Sequence, residues 1–230
     1  MRRHKRSLVL LLALVISALA LTAAAVALPQ TQTAAVATQA PRATQVGHSA
    51  ESTIIANADF AVTYTSLGQL KKAAGLVVRG EVTQVSYLDF NSTAYTELTF
   101  RVSRCLKGDA AVGDELTIVE VGGVTTMAAV NGDKFGAPTA QDADTQVSVL
   151  LDGAPLTEVG DRCLYFLGQG SIGVVPGTYY VPMGAFQGRF KVMDAVAQRF
   201  VPAGWGQDYT SLALDENAID QAVLRAAADN

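Results

Sequence analysis

Leu98-Thr99-Phe100-Arg101-Val102-Ser103 alternates without a break, with Leu98, Phe100 and Val102 on one side and Thr99, Arg101 and Ser103 on the other. A period of two is that of a strand with one face on a core and the other in water. Working outward, Leu76-Val77-Val78-Arg79-Gly80-Glu81-Val82 begins an earlier strand that runs to about Tyr87, with Asp89 and Asn91 in the turn between them. Lys107-Gly108-Asp109 reads as the next turn. Val112-Gly113-Asp114 leads into a third strand, Leu116 to Val121, closed by Gly122-Gly123.

Further along, Val159-Gly160-Asp161 is a turn and Cys163 to Leu167 a short buried strand. Tyr179-Tyr180-Val181, Arg189 to Val192 and Arg199-Phe200-Val201 read as more strands. Upstream, Ser66 caps a short helix over Leu67 to Ala74, which Gly75 ends. Near the end, Asp215 caps a helix with Ile219, Ala222, Val223 and Ala226 on one face. Acids at its start and Arg225 near its end suit the helix dipole. From Thr125 to Leu150 the pattern fails, and Asn131, Asp133, Asp142 and Asp144 mark a long acidic loop. Six or so short strands joined by turns predict a mainly β domain over residues 65–230, a small barrel or sandwich.

The N-terminal part carries an address. Arg2, Arg3, Lys5 and Arg6 precede an uncharged run from Leu8 to Leu28, and Ala25-Val26-Ala27 offers a small-x-small cleavage site. Residues 1–28 are therefore a cleaved signal peptide or a retained membrane anchor, the run being long enough to span a bilayer. Either way the positive-inside rule places the rest outside the cytoplasm. Residues 29–64, rich in Ala, Thr and Gln, read as a disordered spacer. Without the four basic residues of the leader, 13 Lys and Arg face 21 Asp and Glu, a net of −8. Nucleic acid and anionic membrane surfaces both call for a basic face, so neither is an expected partner of the domain.

Three stretches carry a resemblance: Leu76 to Val82, Phe100 to Gly108, and Val159 to Leu167. Their order resembles the OB-like barrel of netrin-type modules and tissue inhibitors of metalloproteinases, and also exported bacterial domains with the same strand–turn pattern. The resemblance runs from about Leu67 to Val201. It implies a five- to six-stranded OB-like Greek-key barrel, with the short helix before it and the C-terminal helix after it, an extracellular location and a binding role. The metalloproteinase inhibitors chelate metal with a Cys at the mature N-terminus. No Cys lies near Leu28, so that activity does not carry over.

Histidine limits the chemistry. His4 and His48 are the two in the chain, and both precede the folded domain. Ser-His-Asp and Cys-His arrangements and His-containing zinc sites cannot be assembled there. Cys105 and Cys163 either pair, as two cysteines in an oxidising compartment commonly do, or remain free thiols. Cys105 shares parity with Arg101 and Ser103, which puts it off the main core face. Gly168-Gln169-Gly170-Ser171-Ile172-Gly173 fits G-x-G-x-x-G but is followed by Val174-Val175-Pro176-Gly177, which opens no helix, so it reads as a hairpin loop. The acidic loop matches no EF-hand, and Asp152, Glu158 and Asp161 flank turns. No cofactor or metal is expected. Tyr179, Tyr180, Phe186 and Trp205, in a Gly/Pro-rich region, either fill the core or form a binding face. The expectation is a non-catalytic exported or membrane-tethered module for a protein or cell-envelope polymer. A structural envelope protein and an exported hydrolase using carboxylates or a Ser/Lys pair are the alternatives.

Overall fold

A computed structural model of the protein describes residues 42–44, 52–131, 143–205 and 212–226. In chain order the strands are β1 (Arg42–Thr44), β2 (Ser52–Ala56), β3 (Leu76–Phe90), β4 (Thr93–Lys107), β5 (Glu115–Val121) and β6 (Gly123–Thr126). They continue as β7 (Gln146–Leu151), β8 (Arg162–Gln169), β9 (Tyr180–Pro182), β10 (Arg189–Met193), β11 (Val196–Arg199) and β12 (Ala213–Asp215). Three short helices, α1 (Leu67–Ala73), α2 (Met127–Asn131) and α3 (Ile219–Arg225), and a 3-10 turn at Ala185–Gly188 complete the described residues. The protein is mainly β with a large sheet and a C-terminal helix.

The large sheet runs β1-β3-β4-β5-β9-β8-β10-β11-β12, and β3 also pairs with β8. Hydrogen bonding therefore follows a closed circuit, β3 to β4 to β5 to β9 to β8 and back to β3. All its joins are antiparallel except β5–β9, which is parallel and made at Ile118 and Tyr180. Inside it lies a core that includes Val78, Val82, Leu98, Phe100, Ile118 and Tyr165. Phe100 and Tyr165 meet edge to face, with centroids 5.1 Å apart. The opposite sides of β3 and β8 are buried as well. Val77, Leu164 and Phe166 pack with Leu70 of α1 and with Ile219 and Val223 of α3. Burial on both sides explains why Cys163 to Leu167 reads as an unbroken apolar run.

Several local expectations hold. Ser66 accepts a hydrogen bond from the Gln69 amide at 3.2 Å and caps α1. Others need correction. β3 continues through Asp89, and the turn to β4 is Asn91-Ser92, both at positive φ (50° and 57°). Two such residues make the hairpin turn whose twist matches the strands. Asp194-Ala195 does the same between β10 and β11, at φ 49° and 62°. That pulls β11 upstream of the expected Arg199-Phe200-Val201, so that Phe200 and Val201 lie beyond it. Asp215 does not cap α3: its side chain accepts from the Asn217 amide at 2.8 Å, and Ala218 begins the helix without a side-chain cap. Gly122 and Gly123 do not end the sheet structure. Gly122 (φ +100°) redirects the chain into β6.

A second sheet, β2-β7-β6, was not expected. β2 lies within the expected 29–64 spacer and pairs in parallel with β7 through Ser52–Ala56, so ordered chain begins before Thr65. β6, α2 and β7 occupy much of the stretch expected to be a loop. Asp133 and Asp142 of that stretch, and the 1–28 segment, lie outside the described residues. Among the described residues no helix is long and apolar enough to cross a membrane. The twelve strands of the described residues also exceed the expected five or six. The surplus is short strands, which give weak periodicity.

Candidate functional site

The four aromatics expected either to fill the core or to form a binding face are divided by the fold. Tyr179 is 3% exposed, packs with Leu88, Val119, Val174 and Val175, and accepts the Ile172 amide on its hydroxyl at 3.1 Å. Its ring also covers Gly170, where a Cβ would overlap it, which accounts for that glycine of the G-x-G-x-x-G stretch. Tyr180 is half-buried against the core inside the circuit. Phe186 is 6% exposed and forms an edge-packed cluster with Phe60, Phe200 and Trp205, at centroid distances of 5.4–5.7 Å. Tyr179 and Phe186 thus belong to the interior, and the four do not form one surface.

Cys105 and Cys163 both stand free. They lie on β4 and β8, on either side of β3, opposite Val78 and Gly80 respectively. Two strand spacings and two residues of offset put their Cα atoms roughly 12 Å apart, beyond the ~7 Å a disulfide spans. Cys105 nevertheless packs against the inner core, contrary to its parity. The pairing of Arg79 with Arg104 and of Gly80 with Val102 leaves Ser103 as an extra residue, and this bulge reverses the face of Cys105. Burial pushes the Cys163 thiol up to about 12, so it stays protonated and unreactive.

A charged cluster closes one end of the inner core. Glu120 follows Ile118 on the inward side of β5 and is buried. One carboxylate oxygen accepts from the Tyr165 hydroxyl at 2.8 Å. The other accepts from Thr157 Oγ1 at 2.7 Å and from Arg189 at 2.7 Å. Arg189 also donates to the Pro155 carbonyl at 2.6 Å and to Thr157. Burial alone would lower the Arg189 guanidinium, but Glu120, with Tyr165 and Cys163 adding to it, offsets this and leaves the group above its ordinary value. Burial, with Glu120 adding to it, raises the Tyr165 hydroxyl well above its ordinary value. Both Glu120 oxygens accept hydrogen bonds, so the carboxylate plugs this end of the core and ties β5 to β8, β10 and Thr157.

Arg189 links this plug to an open cleft of about 560 Å³ on the face of β10 that carries Arg189, Lys191 and Met193, the same face as Cys163 and Tyr165 of the inner core. One wall is the segment before β8, with Pro155, Leu156 and Asp161. The other is the β10–β11 hairpin and the chain after it, with Lys191, Met193 and Phe200. Lys191 Nζ reaches Asp161 at 2.8 Å across the mouth. Met193 is 51% exposed at the lip. The cleft combines an apolar lining with a few placed polar groups, the usual composition of a ligand site. Sequence reading missed it because its walls come from segments some thirty residues apart. One signal was legible: Met193, an apolar residue beside an Asp-Ala turn, where polar residues are usual.

No family model and no curated protein matches this chain.

Proposed function

We propose that the protein is a binding module of the extracytoplasmic space, secreted or held by residues 8–28, that takes a protein or cell-envelope polymer in the cleft beside β10 and β11. The cleft is the observation that carries this reading: it is large, lined by apolar side chains, and joined by Arg189 to a rigid buried plug. A site supported in this way is pre-organised, which lowers the entropic cost of binding. The scaffold is an OB-like Greek-key barrel. In support, the five-strand circuit joins its third strand to its last in parallel and its first to its fourth antiparallel. The resemblance of Leu76 to Val82, Phe100 to Gly108 and Val159 to Leu167 to netrin-type modules points the same way.

A binding role is favoured over carboxylate hydrolysis because Glu120 already accepts three hydrogen bonds and Asp161 is tied to Lys191. A purely structural role gives no reason for an open apolar cleft. The test is site-specific photocrosslinking of the full chain in its own host, with p-benzoylphenylalanine replacing either Met193 or Val112. Val112 is more exposed, at 74% against 51% for Met193, but remote, in the turn between β4 and β5. Discrete adducts from position 193 and none from position 112 are expected. Identical adducts from both, or none from either, would overturn the reading.

A further inference from the structure

We propose that Asn91 is a modification site that carries one N-linked oligosaccharide on its side-chain nitrogen. The inference goes beyond ligand binding, and it rests on the extracytoplasmic address of the chain after Leu28. The chain has five asparagines, and Asn91 alone has a hydroxyl residue two positions on, in Asn91-Ser92-Thr93. Asn-x-Ser/Thr with x other than Pro is the acceptor motif for N-linked sugar, and its use calls for a surface loop. Asp89, two residues before Asn91, completes the stricter acid-x-Asn-x-Ser/Thr form of the motif.

The surface-loop condition is met where it could have failed. β3 and β4 are the two longest strands described, and most of their residues are buried or half-buried. The motif falls instead on the tip between them, where Asn91 and Ser92 are both exposed. An Asn in a turn often folds its carboxamide back onto nearby backbone. The Asn91 carboxamide makes no hydrogen bond among the described residues, so the turn uses the positive φ of this residue and leaves its side chain idle. Asp89, in contrast, accepts from Thr125 Oγ1 at 2.6 Å, and Phe90 pairs with Thr93 across the turn. These contacts hold the motif shut, which places the transfer before folding, on the chain as it emerges from the membrane. The donor is a polyprenyl-diphosphate-linked oligosaccharide, and a membrane transferase brings it to the motif. Asn91 Nδ2 attacks the anomeric carbon, the N–C bond forms, and the C–O bond to diphosphate breaks. The lipid diphosphate leaves, and one amide proton passes to a base of the transferase.

The experiment expresses the full chain in its own host, separates the cell interior from envelope and medium, and reads the tryptic peptide of residues 80–101 by mass spectrometry. The exported chain is expected to carry the added mass of one oligosaccharide, with fragments that place it on Asn91. Asn91→Gly, which suits a turn at positive φ, and Thr93→Val, which keeps a β-branched residue in the strand, should both lose that mass while still being exported. Thr93→Ser, which keeps a hydroxyl at the position, should retain it. Added mass that survives Asn91→Gly, as a sugar on the Ser92 or Thr93 oxygen would, overturns the proposal, and so does mass that survives Thr93→Val. An exported wild-type chain without added mass removes the proposal alone. A chain found wholly inside the cell removes it together with the extracytoplasmic reading.

Discussion

At the scale of single residues, the molecule depends on a few buried polar groups that are fully partnered. Removing one member of a buried ion pair strands the other, at a cost of about 3–5 kcal/mol. Glu120→Ala should therefore destabilise the protein by about that amount in urea denaturation, and Glu120→Gln, which keeps acceptor and shape, by less. Equal stability of wild type and Glu120→Ala would show that the plug is not closed as described. A buried thiol and a buried phenol give a second prediction. Cys163 and Tyr165 hold their protons above their ordinary values of 9.0 and 10.0. Folding stability from these groups is thus intact below about pH 9 and is lost as pH rises toward 12, because the unfolded chain releases the protons first. Cys163→Ala should lose less stability than wild type between pH 8 and pH 11, and identical slopes would contradict the burial of the thiol. Sequence reading reached the Ser66 cap because capping is local. It missed the face of Cys105, because the Ser103 bulge arises from pairing with β3 and leaves no mark in the alternation itself. Glu120 could have been found: it falls at the inward parity of Leu116 and Ile118, where a charge requires a partner.

At the scale of elements, strand crossings and hairpin turns set the register. Gly80 lies where β3 is gripped by both β4 and β8, and a Cβ there would overlap the Arg101 carbonyl. Backbone cannot yield as a side-chain tip can, so Gly80→Ala should cost several kcal/mol or prevent folding. The Asp194-Ala195 turn predicts the opposite sign. Ala195 at φ 62° is strained, and Ala195→Gly should stabilise the protein by about 1 kcal/mol, read as a raised unfolding midpoint. A lowered midpoint would mean that the β10–β11 turn is built differently. Long strands with clean alternation, β3 and β4 above all, were legible from sequence. The three-residue strands β9 and β12 and the sheet of β2, β7 and β6 were not, or only in part. Their pairing comes from tertiary contact, and too few residues carry each period. β2 was hidden further by lying next to a low-complexity stretch.

At the scale of the whole molecule, two shells of apolar packing share the strands β3 and β8. The inner core fills the circuit, and the outer one is covered by α1 and α3. Ion pairs hold α3 and the turn before it in place. Arg79 and Arg104 reach Asp220 at 3.0 and 2.8 Å, and Arg162 reaches Glu216 at 2.7 Å. A second hollow of about 570 Å³ lies beside α1 and α3, but the cleft over β10 and β11 is the open face on which the functional account depends. Hydrogen–deuterium exchange of the full chain, compared between the purified protein and the protein in its own envelope, tests this directly. Added protection confined to residues 155–161 and 189–201, with the 107–115 turn unchanged, is the predicted result. Unchanged exchange throughout, or protection centred on another surface, would contradict it.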